Sequence, residues 1–204
     1  MEAALREVMC ITIHIVCTLI HMDHGLLERI QRTRRVTTPW SDDTTRGISG
    51  THLDALLERW ANGYDWGVHE RRIGALPWVT VRAGGSDLRV IHQRSADPGA
   101  PVVVLLHGWP DSVLRFERVL PLLADMHVVV PALPGFPFAA PLTVPGMSAN
   151  RIAGIVADAL DELGHPRYTV SGGDVGGTVA ELLAAWEQPE LYVDDLRRAV
   201  ELGR

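Results

Sequence analysis

The chain contains no lysine, so all 19 of its lysine-or-arginine positions are arginine. Schiff-base chemistry through a side-chain amine is thereby excluded, and every fixed cation is a planar guanidinium. Cysteine is almost as scarce. Cys10 and Cys17 are the only two, close together in an apolar stretch. That suits buried free thiols in a reducing, cytoplasmic setting better than a disulfide framework. Positive charge is outweighed, for a net −6, which argues against a nucleic-acid surface. The densest basic run, Gln31-Arg32-Thr33-Arg34-Arg35, reads as a solvated helix end. No apolar run reaches membrane-spanning length. Val8 to Met22 is 15 residues long and includes Thr12, His14 and Thr18, whereas a spanning helix needs roughly 20. No basic segment precedes it as in a signal peptide, and Ile11, Ile13 and Ile15 alternate with Thr12 and His14 as in a half-buried strand. Membrane association is not expected. His21-Met22-Asp23-His24 offers too few ligands for a metal centre and reads as a polar loop. No motif requires a metal or a cofactor.

What is present points to one catalytic architecture. Gly172-Gly173-Asp174-Val175-Gly176-Gly177 stands between the apolar run Tyr168-Thr169-Val170 and the helical pattern Val179-Ala180-Glu181-Leu182-Leu183. This is the strand–turn–helix context of a nucleophile elbow, with a carboxylate where ester hydrolases carry serine. Gly172 and Gly176 leave room for the sharp turn and for close strand–helix packing, and the helix N-terminus beyond Asp174 favours its negative charge. A carboxylate is ionised at neutral pH and can displace a leaving group at saturated carbon, giving an alkyl-enzyme ester. Strained ethers and carbon–halogen bonds are the implied substrates. The plainer alternative is a glycine-rich turn in which Asp174 only caps the helix. A dinucleotide-binding loop fits worse, because G-x-G-x-x-G needs glycine at 174.

A second motif bears on that choice. Pro101-Val102-Val103-Val104-Leu105-Leu106 reads as a buried parallel strand ending in His107-Gly108-Trp109-Pro110. An α/β-hydrolase places its oxyanion loop after such a strand. One amide comes from that loop and one from the residue after the nucleophile, here Trp109 and Val175. His107 reads as a brace for the turn, since the histidine base of this fold follows the nucleophile in chain order.

Organisation along the chain fits these motifs. Residues 1–95 form a first region: a strand at 11–15, a helix carrying Leu26, Leu27 and Ile30, and a loop from Thr37 to Gly50. A helix with Leu53, Leu56, Leu57 and Trp60 follows, capped near Thr51, and then a hairpin of Trp78 to Arg82 and Leu88 to His92 with an open turn. Trp60, Tyr64 and Trp66 read as packing residues rather than a ligand cage. Residues 96–204 form the second region, an α/β fold with a mainly parallel sheet and helices on both faces. It has strands at 101–106, 127–130 and 168–171, a helix near Val113 to Ala124, and another capped by Ser148 that runs to Gly164. Both motifs fall at carboxyl ends of strands, where ligands of such sheets sit.

Leu53-Asp54-Ala55-Leu56-Leu57-Glu58-Arg59-Trp60 with Gly63-Tyr64-Asp65-Trp66, then His107-Gly108-Trp109-Pro110, Leu133-Pro134-Gly135-Phe136 and Gly172-Gly173-Asp174-Val175-Gly176 occur in that order. Together they resemble the N-terminal part of the epoxide hydrolases of the microsomal and juvenile-hormone type, over most of residues 23–186. The resemblance implies that Asp174 is the nucleophile toward a small-molecule epoxide. It also implies that the 107–110 loop forms part of the oxyanion hole and that Trp109-Pro110 is a cis bond. Val175 stands where many relatives have tryptophan, and Pro137 where glycine is common. The family's histidine base and acid would follow the nucleophile, yet only 30 residues follow Asp174 and the last histidine is His165. Asp194 and Asp195 fall where an acid could lie but read as solvated. The expectation is therefore an incomplete epoxide hydrolase. A haloalkane dehalogenase using the same nucleophile and a non-catalytic remnant acting as a binding partner are the alternatives.

Overall fold

In a computed structural model of the chain, residues 25 and 27–187 are described except for 35 and 37, together with positions 193 and 197. The expected strand at 11–15, both cysteines, the 21–24 cluster and Asp194 and Asp195 lie outside the described residues. The chain divides into two units, Met1–His69 and Glu70–Arg204.

In the first unit, residues 27–32 are helical, as the spacing of Leu27 and Ile30 implies. Helix α1 spans Gly50–Asn62. Its cap is Ser49 rather than Thr51: the Ser49 hydroxyl accepts from the His52 amide at 3.1 Å. Thr51 already has helical backbone, so its hydroxyl turns outward and donates to Asp42 Oδ1 at 2.7 Å. Helix α2, Trp66–Gly74, begins in this unit and runs past its boundary at His69; it has no counterpart in the sequence reading. Its signal was Asp65, whose carboxylate accepts from the Gly67 amide at 2.8 Å as a helix-capping residue does. Tyr64 stacks on His69 with ring centroids 4.9 Å apart.

The second unit is built on one five-stranded sheet: β1 Trp78–Ala83, β2 Ser86–Gln93, β3 Val102–Leu106, β4 His127–Pro131 and β5 Thr169–Gly172. Spatial order is β1-β2-β4-β3-β5. The β4/β3 and β3/β5 pairs are parallel, and the β1/β2 and β2/β4 pairs antiparallel. The sheet is therefore mixed, the hairpin extending a parallel centre. Its turn is tighter than expected, with Gly84 and Gly85 at φ of 54° and 75°. Successive left-handed residues are what a two-residue hairpin turn requires, and glycine adopts them without strain.

Continuous apolar strands are explained by burial on both faces. Val104, Leu106 and Val129 point into a core with Ile152, Ile155, Val156 and Leu160 of α3 (Ala149–Glu162) and Val179 and Leu183 of α4 (Val175–Glu187). Val103, Leu105, Val128 and Val130 point the other way, against Val113, Leu114, Phe116, Leu120 and Leu123. The Ser148 hydroxyl caps α3 as expected, accepting from the Arg151 amide at 3.3 Å. The single helix expected over 113–124 is instead two 3-10 turns, Val113–Phe116 and Leu120–Leu123. Pro121 explains the break, for it lacks the amide that would continue a helical ladder and its ring crowds the preceding turn. No helix among the described residues is long and apolar enough to cross a membrane.

Where β4 begins, three imidazoles gather. His92 and His127 are buried, and Nε2 of His92 lies 2.9 Å from Nε2 of His165. Burial, then the neighbouring His165, Arg94 and His127, pushes the His92 pKa down to about 4. Burial, His127 and Arg94 also lower that of His165. Both groups are protonated more readily in the unfolded chain, whose histidines titrate near ~6.5, so their contribution to stability is complete above that pH. It is lost as pH falls from there, for His92 toward its folded value of about 4. The urea midpoint should therefore drop between pH 7.5 and 5, and the drop should shrink in His92→Gln. A wild-type midpoint that does not change over this range would contradict the assignment.

Candidate active site

Strand β5 delivers the chain to Asp174, and α4 starts at the next residue. Asp174 itself has φ of 56°, a left-handed backbone rare for a side-chain-bearing residue. A Cβ at Gly172 would run into the carbonyl of Gly176, and one at Gly176 into the carbonyls of Leu106 and His107. These two glycines let α4 sit directly on β5 and β3. Gly108 has a third, separate reason: a Cβ there would lie 2.7 Å from the Asp174 Cβ and 2.8 Å from Oδ1.

The two strand-end motifs meet through hydrogen bonds. Asp174 Oδ1 accepts the Val175 amide at 2.6 Å and the Trp109 amide at 2.9 Å. Its pKa is lowered by the Val175 bond first and the Trp109 bond second, against a small opposing effect of burial. The carboxyl is therefore an anion at neutral pH. The Trp109-Pro110 bond is cis. Pro110 lines a shallow cleft of about 450 Å³ with Trp109, Asp111, Ser112, Pro137 and Phe138. Trp109 is 69% exposed.

His107 is fully buried and serves the 107–110 loop rather than Asp174. Its Nε2 accepts the Leu133 amide at 3.2 Å and its Nδ1 lies 3.3 Å from the Gly108 carbonyl. The ring proton must then sit on Nδ1, and burial first of all lowers the ring's pKa. Phe136 packs edge-on against His107 at 5.1 Å and against Trp109 at 6.3 Å. The 133–136 loop thus braces the 107–110 loop, a contact that no spacing in the sequence announced. His165 is not brought to Asp174: it lies beside the amino ends of the parallel strands, whereas Asp174 follows the carboxyl end of β5. Among the described residues no group of three histidine, cysteine or acidic side chains is arranged to hold a metal ion.

Comparison with known proteins agrees with this geometry. Residues 18–116 match the family described as the epoxide hydrolase N terminus, and residues 101–191 match the alpha/beta hydrolase fold. The chain belongs to the epoxide hydrolase family. It is 32% identical over 170 residues to a Stigmatella aurantiaca protein provisionally named an epoxide hydrolase, a match covering 78% of this chain and 39% of that protein. Two solved structures each superpose with a TM-score of 0.70. The Aspergillus niger epoxide hydrolase is 26% identical, with 79% of this chain and 46% of that one covered. The juvenile hormone epoxide hydrolase of the silkworm Bombyx mori is 27% identical, with 81% and 47% covered. The chain thus spans less than half the length of each of these relatives.

The elbow yields a sharp contrast within one helical turn of this epoxide hydrolase segment. Gly176→Ala should cost about 1–3 kcal/mol or more, since its methyl group would strike backbone. At Gly177 a Cβ would meet nothing nearer than the Gly172 carbonyl oxygen at 3.6 Å, so Gly177→Ala should be neutral or gain up to ~1 kcal/mol of helix stability. Urea titration of the two variants checks this, and equal effects would contradict the packing described.

Proposed function

We propose that Asp174 opens epoxides as a nucleophile, forming an aspartyl ester on the way to a vicinal diol. One observation carries this reading: both amides converge on Oδ1 and leave Oδ2 without a hydrogen bond among the described residues. In the proposed step Oδ2 attacks a ring carbon, the carbon–oxygen bond of the epoxide breaks, and its electron pair goes to the departing oxygen. Water protonates that oxygen, leaving a hydroxyalkyl ester on Asp174. Oδ1 is then the ester carbonyl oxygen. When hydroxide adds to that ester's carbonyl carbon, charge builds on the atom the Trp109 and Val175 amides already face, so the arrangement serves both halves of the reaction.

The second half also needs a base. General-base assistance is worth about 10² to 10⁴ in rate, and this chain has no histidine after His165. His107 has its basic nitrogen occupied by the Leu133 amide. Ester formation in the 204-residue chain should therefore outlast ester hydrolysis.

Incubation with styrene oxide should leave a covalent adduct of one opened epoxide, located at Asp174 by peptide mass spectrometry and absent from Asp174→Asn. Sustained diol production by the pure chain would contradict the missing base. Absence of any adduct on folded protein would contradict the nucleophile itself and favour a non-catalytic role.

A further inference from the structure

One cleft of the second unit lies at the end of the sheet opposite Asp174. It holds about 670 Å³ where β3, β4 and β5 begin, and its walls include Arg94, His127, His165 and Arg167. No acidic side chain lines it, although the chain as a whole carries a net charge of −6. Arg94 and Arg167 form no ion pair among the described residues.

The neighbouring elements were surveyed for compensating charge. The 94–101 loop carries Asp97, whose Oδ1 is occupied by the Gly99 amide at 2.8 Å. Asp125 precedes β4, and Asp161 and Glu162 end α3. None of these acids is among the groups that shift His92 or His165: beyond burial, the two respond to Arg94 and to other histidines, each of which opposes their protonation. His127 accepts the Ser95 amide on Nδ1 at 3.1 Å, which places its proton on Nε2 as a donor. The cleft is thus furnished with donors and cations and holds no counter-charge. The three rings do not form a metal-holding group, whereas guanidinium forks match the planar or tetrahedral oxygens of an oxyanion.

We propose that this cleft binds a small oxyanion, a carboxylate or a tetrahedral group such as sulfate or phosphate, between Arg94 and Arg167, with His127 and His165 as further donors. Binding such an anion supplies the missing negative charge, so it draws a proton onto the histidine cluster. Affinity should then rise as pH falls. The site is separate from the proposed ester chemistry, because it lies at the opposite end of the strands.

The test uses the full chain with sulfate and, separately, acetate, both of which keep a constant charge between pH 6 and 8. Isothermal titration and the histidine ring signals in NMR are read at both pH values with EDTA present. Saturable binding at least ~3-fold tighter at pH 6 than at pH 8 is expected, and the stronger of the two probes identifies the geometry preferred. Arg94→Gln with Arg167→Gln should weaken it by about 10-fold or more while leaving the circular dichroism and the styrene oxide adduct unchanged. His165→Asn should remove most of the pH dependence. The proposal is overturned by no saturable response at about 50 mM, a concentration that reveals even millimolar affinity. It is equally overturned by unchanged affinity in the double-arginine variant, or by binding that appears only when EDTA is omitted, which would assign the histidines to a metal.

Discussion

Two backbone amides converging on one carboxylate oxygen are the constraint from which the rest of this site follows. For the Val175 and Trp109 amides to reach Asp174 Oδ1, at 2.6 and 2.9 Å, a helix must begin directly after a strand, and a loop from a second strand must arrive within hydrogen-bond reach. The left-handed backbone at Asp174 meets the first demand. The second is met by parallel pairing of β3 with β5, in which Leu106 stands opposite Gly172 and brings two strand ends level. Gly172 and Gly176 are small because a side chain would occupy space the backbone already fills, and Gly108 because one would meet the Asp174 side chain. The anion in turn suits its place, since amide donors and the helix N-terminus both favour the charged form.

Much of this was legible in the sequence because the relevant signals are local and steric. A β-branched run bounded by proline and glycine can only be a buried strand or a short buried helix segment, and the 172–177 hexapeptide places Asp174 by backbone geometry alone. The strands at 102–106 and 127–131 and the helix after Ser148 came through for that reason. What was not legible depended on competition. Ser49 and Thr51 are both competent caps, and the Asp42 carboxylate decides between them by binding the Thr51 hydroxyl. Pro121 divides a segment whose apolar spacing suits a helix. The bracing of His107 by the Leu133 amide joins residues 26 apart in sequence, so no short motif encodes it.

The two ends of the strands have opposite electrostatic characters. At the carboxyl ends of β3 and β5 an anion is held by neutral amide donors. At the amino ends, arginines and histidines gather with no acidic side chain in the cleft they line. Both arrangements leave charge unneutralised by side chains, and such imbalance in a cleft is a common mark of a binding site.

The claim on which the account rests is that the two amides hold Asp174 as an anion and lower its pKa below the ordinary carboxylate value. The Asp174 carboxyl carbon, assigned by its loss in Asp174→Asn, can be followed by ¹³C NMR from pH 7 to pH 4. The account predicts a signal that barely moves over that interval. A titration step centred within it, at or above the usual value near ~4 for aspartate, would show that the amides do not grip the carboxylate and would contradict the site as described.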